Sequence, residues 1–207
     1  MTDENRSMSA YRQSLKEKVL FTAVHAFASY GIRAVKMDDI AQALSISKRT
    51  LYEIYDNKEV LLFEAIRLLK AQHDHEMADV VEKSGNVMDV LLYVTKRKIE
   101  DLRLTNPLFY SDMSRYPRVM AFLEEGRRQN RHLVIDFFRR GVDEGFFRSD
   151  VDYDLLLTIL ESTINHIMSS QLYINYPIEQ LFRHAVLVCF RGICTPLGVE
   201  AIDRSDV

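Results

Sequence analysis

The feature that most constrains the fold is the spacing of the apolar side chains. Along the whole 207-residue chain they recur at three- and four-residue steps, and nowhere is there a sustained alternation of period two. That spacing puts apolar groups on one stripe of a helix and cannot hold a strand to one face of a sheet. The chain is therefore expected to be all-α. With only 7 Gly and 4 Pro, breakers are few enough for each to mark a boundary.

The first helix is expected over residues 15–30, where Val19, Ala23, Ala26, Phe27 and Tyr30 share a stripe and Gly31 stops it. Residues 1–14 read as a polar tail. A short helix over 37–44 carries Ile40, Ala41 and Leu44 inward. After a break at Ser45-Ile46-Ser47, a second short helix over 48–54 starts from Ser47 as N-cap and turns Leu51 and Ile54 inward. Asp56 then opens a longer helix, with Glu59 completing an Asp-x-x-Glu version of the capping box. Further helices are expected over 87–105, between Asn106-Pro107 and Tyr116-Pro117, and over 118–144 with Gly141 and Gly145 at its end. Two more run from Asp152 or Asp154 to about residue 173 and from Pro177 to about Cys194.

Two short helices joined by a three-residue turn and backed by a packing helix make a helix-turn-helix. Reading DNA requires a second helix whose polar N-terminal residues reach base edges while its other side is buried. Lys48, Arg49 and Thr50 suit that end; Tyr52 and Tyr55 could offer hydroxyls to phosphates, and Lys58 lies beside the free N–H groups that open the next helix. Charge is compatible without being diagnostic. Residues 1–70 hold 11 Lys and Arg against 9 Asp and Glu, while residues 71–207 hold 16 against 21.

From about Val19 to Leu62 the chain resembles the DNA-binding domain of the tetracycline-repressor (TetR) family of bacterial transcription regulators. The matching residues are Ala23, Phe27 and Gly31, then Ile40-Ala41, Ile46-Ser47, Thr50-Leu51-Tyr52, and Lys58-Glu59 with Leu62. The resemblance implies a three-helix DNA-binding domain over 15–62 and a larger helical domain over 63–207 that binds an effector and dimerises. Lys36 stands where the family usually has Thr, Leu44-Ser45 replaces the usual Ala-Gly of the turn, and Ile54-Tyr55 replaces the usual His-Phe. The implied DNA-facing set is Lys36, Ser47, Lys48, Arg49, Thr50, Tyr52, Tyr55 and Lys58. The implied partners are a double-stranded DNA operator, a small-molecule effector and a second copy of the chain. A helical sensor or adaptor that acts through protein contacts is the alternative.

The second domain carries no comparably specific motif. Leu156, Ile159, Leu160, Thr163 and Ile167 cover a broad apolar face, and the run AVLVCF at 185–190 is apolar on all sides. With Leu181, Ala185 and Val188 these residues are expected at a dimer interface. Tyr93, Tyr110, Tyr116, Asn165 and His166 interrupt apolar helices and are the candidates for an effector pocket. Enzyme chemistry has no foothold. His73 and His75 fall on different helix faces, His75 and Asp79 lack a third ligand, and there is neither a phosphate-cradling Gly-rich loop nor a Gly-x-Ser-x-Gly elbow. No cofactor or metal is expected. Cys189 and Cys194 read as buried and inert. No apolar run approaches the ~18–20 residues needed to cross a bilayer, and the polar first fourteen residues do not read as a secretory signal, so a cytoplasmic location is expected.

Overall fold

A computed structural model describes the backbone of residues 3–205 and the side chains of residues 11–205. Among these residues the chain forms ten α-helices and one short 3₁₀ turn, Leu172–Ile174. In order they are α1 (Asp3–Tyr30), α2 (Met37–Ala43), α3 (Lys48–Ile54), α4 (Lys58–Lys83), α5 (Val87–Leu104), α6 (Pro107–Met113), α7 (Pro117–Asp143), α8 (Tyr153–Ser169), α9 (Ile178–Ile193) and α10 (Pro196–Asp203). The only β-type pairing described is an isolated bridge between Phe147 and Cys194. No described helix is long and apolar enough to cross a membrane.

The chain divides into two compact units. One comprises Met1–Asp74 with Leu108–Ala121, and the other His75–Pro107 with Phe122–Val207. The first helix thus begins at Asp3, well before the expected Leu15, and the boundary expected after Leu62 falls later, within α4.

In the first unit α1 packs on α2 and α2 on α3. Val19, Ala23 and Phe27 of α1 are fully buried, as are Ile32, Leu51, Leu61 and Leu62. Gly31 ends α1 with φ +84°, and a Cβ there would lie 2.8 Å from the Cβ of Leu108 in α6. Only glycine gives both the left-handed turn and that close approach. Two residues further on, the buried carboxylate of Asp112 in α6 accepts the backbone N–H of Arg33 at 2.8 Å. Arg118, at the start of α7, stacks its guanidinium 4.1 Å from the ring centre of Phe63 in α4.

The second unit is built on Val87, Met88 and Leu91 of α5, Phe138 of α7, Phe147 of the connection to α8, Tyr153 at the start of α8, and Ile193, Cys194 and Ile202 near the end. Phe138 and Tyr153 stack with ring centres 4.7 Å apart. Asn86 caps α5 by accepting the N–H of Asp89, and Asp152 caps α8 by accepting those of Asp154 and Leu155. Gly141 does not end α7: it lies inside the helix, where a Cβ would collide with the ring of Phe147 at 2.0 Å. Gly145, with φ +81°, makes the turn instead. The sequence reading also missed α10, which Thr195 caps by accepting the N–H of Gly198. Cys194 is buried, and burial pushes its thiol up to about 11, whereas Cys189 is only half-buried.

Candidate nucleic-acid interface

The helix pair α2–α3 is held by caps that leave one face of α3 uncovered. The carboxylate of Asp39 reaches back to accept the N–H of Lys36 at 2.7 Å, which fixes the start of α2. Ser47 caps α3 as expected, its hydroxyl accepting the Thr50 N–H at 3.0 Å and sharing a 2.8 Å hydrogen bond with the Thr50 hydroxyl. Between them Ser45 sits at φ 53°, so this serine takes up the left-handed turn usually left to glycine.

Within α3, Leu51 is fully buried, whereas Lys48, Arg49, Tyr52 and Glu53 are exposed together on the opposite face. Both cations carry intramolecular partners. The Lys48 ammonium is 2.9 Å from Asp38, and this hydrogen bond, with its charge attraction, holds its pKa above the usual lysine value. Arg49 is the most open of them, its side chain 89% exposed, and its Nε donates to Glu53 at 2.9 Å. Lys36 is also exposed, at the head of α2. At the other end of α3, Arg12 of α1 donates to the backbone carbonyl of Glu53 at 3.2 Å, satisfying one of the acceptors that a helix leaves open at its C-terminus. Arg12 lies in the stretch expected to be a tail. The carboxylates of this segment were also passed over: residues 36–59 hold five of them against four cations.

Two members of the expected DNA-facing set point elsewhere. Tyr55 is only 2% exposed, and its buried hydroxyl has no hydrogen-bond partner. It stands four residues after Leu51, on the inward stripe, so it cannot offer that hydroxyl to a phosphate. Burial, with Glu64 nearby, pushes its pKa up to about 12. Lys58 is half-buried and turned back on the α1–α2 connection, donating to the carbonyls of Val35 at 2.5 Å and Arg33 at 3.3 Å. Burial lowers its pKa, against the pull of Asp112 and Asp39. The cap of α4 also differs from expectation: Asn57, not Asp56, accepts the N–H of Val60.

The five expected effector residues are divided between the units, Tyr110 and Tyr116 in the first and Tyr93, Asn165 and His166 in the second. Tyr110 and Tyr116 are half-buried, and burial raises the Tyr116 pKa. The other three are exposed. Tyr93 donates its hydroxyl to Glu76 at 2.6 Å, and His166 lies within hydrogen-bonding reach of Ser170, the residue that follows the end of α8. Asn165 and His166 were expected to converge in a cavity, but they fall on an outward stripe of α8.

Along α8 and α9, which pack on each other, the expected association residues leave apolar surface open. Ile159 is 50% and Val188 69% exposed; Leu156, Leu160, Thr163, Ile167, Leu181 and Ala185 are half-buried. The hydroxyls of Ser162 and Thr163 turn back to the carbonyls of Thr158 and Ile159, so they ask for no outside partner. The run at 185–190 is thus not enclosed on all sides within the single chain, as its composition had required.

Comparison with known proteins bears on this arrangement. Residues 19–65 match the family model for bacterial regulatory proteins of the tetR family. The HTH-type transcriptional repressor KstR2 of Mycobacterium tuberculosis is 26% identical over 156 residues, covering 72% of this chain and 78% of the repressor. The solved structure of that organism's ketosteroid transcriptional regulator KstR2 superposes with a TM-score of 0.58 at 22% identity, covering 87% of this chain and 95% of the other. A TetR-family regulator from Agrobacterium tumefaciens shares the fold with a TM-score of 0.72 at 14% identity, covering 89% and 100% of the two chains.

Proposed function

The chain belongs to the TetR family of bacterial regulatory proteins, and from that premise we propose that it is a dimeric transcriptional repressor which grips operator DNA through α3 and is released by a small-molecule effector. The observation that carries the reading is the division of α3 into a buried side at Leu51 and an open side at Lys48, Arg49, Tyr52 and Glu53. A rod backed by apolar packing with a charged outer face is what entry into a major groove requires. Lys36, Ser47, Lys48, Thr50 and Tyr52 fit contacts to phosphates or base edges around it, and Arg49 fits base reading.

The open apolar stripe on α8 and α9 supports association with a second copy. A two-fold dimer carries two reading helices, so half-sites would lie about one DNA turn apart, ~34–36 Å or a near multiple. The effector acts from the larger helical domain, with α4 as the lever, because its residues belong to both units. Such a ligand shifts the equilibrium only by its preference for the geometry that does not fit DNA. Moving a repressor from almost all bound to almost all free needs about 5 kcal/mol of that preference. The protein then works where the chromosome is, in the bacterial cytoplasm.

The test is a gel shift against the DNA flanking the protein's own gene, run beside random DNA across a salt series. Specific binding should persist at salt concentrations that release random DNA; equal affinity for both throughout would refute the reading.

A further inference from the structure

On the open face of α3, Glu53 is a carboxylate on the surface proposed to approach a polyanion. Three observations give it a purpose. Its Oε1 accepts the Nε–H of Arg49 from one helical turn away, at 2.9 Å. Arg49 has no other partner among the described residues and is 89% exposed, so its two terminal nitrogens remain open to solvent. The backbone from which Glu53 springs is itself fixed, because Arg12 donates to its carbonyl at 3.2 Å.

A guanidinium presents its N–H groups in a rigid plane. When the Nε edge is taken by a carboxylate on the same helix, the outer end can still make the paired hydrogen bonds that recognise O6 and N7 of guanine. The pairing also answers the charge problem. A bare carboxylate among phosphates is repelled, and one bound to a guanidinium is neutralised where water is excluded. We propose that Glu53 is a positioning residue for sequence reading: it fixes the plane of Arg49 so that the outer nitrogens address a guanine, while Arg12 holds Glu53 in place. This rests on the DNA-binding reading above.

The experiment uses the full-length protein and a pool of duplexes randomised over about three helical turns, with the bound fraction sequenced. The wild type should enrich a motif, and Arg49→Ala should lose the preference for one guanine in each half-site. Glu53→Ala should flatten the preference at that same guanine at least tenfold, without weakening binding to random-sequence DNA. Glu53→Gln should restore most of it, because the amide oxygen can accept the same N–H; a purely structural role for Glu53 would not predict loss confined to one base pair. The proposal is overturned if Glu53→Ala keeps the guanine preference. It is equally overturned if the loss falls on another base pair, as it would if the carboxylate read a cytosine directly. If the wild type enriches no motif, the DNA-binding reading fails with it.

Discussion

Ser45 and Tyr55 show how single residues in the helix pair settle what their neighbours can do. A serine at φ 53° crowds its Cβ against the chain, and a glycine there would be relieved of that cost. Ser45→Gly should raise stability by about 1 kcal/mol, seen as a higher denaturation midpoint with an unchanged m-value. The absent glycine was plain in the sequence; that the turn would still adopt the left-handed form was not. Tyr55 has the opposite history. Its place four residues after Leu51 puts it on the inward stripe, whereas its phenol reads equally well as a polar handle. With the buried hydroxyl unpartnered, Tyr55→Phe should cost little or no stability and leave DNA affinity unchanged. The titration gives a second check. Because the folded pKa is raised from about 10 to about 12, the neutral phenol leaves the fold undisturbed below pH 10, and its resistance to ionisation destabilises the wild type as pH rises towards 12. Urea titrations at pH 9 and pH 12 should show the wild type losing about 2–3 kcal/mol more than Tyr55→Phe. The same four-residue rule puts Glu53 outward beside Arg49, a spacing legible in the sequence, where nothing but the helix-pair motif marks it as part of the site.

Among the elements, α6 departs most from what the sequence disclosed. Its existence was legible from the two Xaa-Pro breaks around it, but its membership of the first unit was not, since that depends on contacts between residues far apart in the chain. Asp112 supplies one such contact. Asp112→Ala removes the acceptor of the Arg33 N–H and the charge facing Lys58. It should cost about 1–3 kcal/mol, with Asp112→Asn costing less because an amide oxygen can still accept; thermal or urea unfolding measures both. Gly31→Ala should be more damaging than an ordinary helix-end substitution, because it meets positive φ and Leu108 at once. The early start of α1 is not legible for a different reason. A helix can begin in polar residues when later ones anchor it, and apolar periodicity reports only the anchored part.

At the scale of the whole molecule, helix content could be read from periodicity and breakers and a division into two domains followed from the family resemblance, whereas the discontinuous make-up of each unit could be read from neither. The open stripe on α8 and α9 gives the clearest global prediction. Val188→Asp puts a charge where the chain alone leaves an apolar side chain 69% exposed. It should leave the helical circular dichroism intact, shift sedimentation from dimer to monomer, and sharply reduce binding to a two-half-site operator; a variant that remains a dimer would place the interface elsewhere. The first unit has a consequence for how the protein is made. Its last pieces, residues 108–121, are translated only after all of α5, so a ribosome that has released α1 to α4 has not yet delivered the partner of the Arg33 N–H or the side chain that fills the space beside Gly31. A message cut short after α4 would yield the whole recognition motif but an unfinished domain, and such a fragment should be a poor competitor for the intact protein's operators.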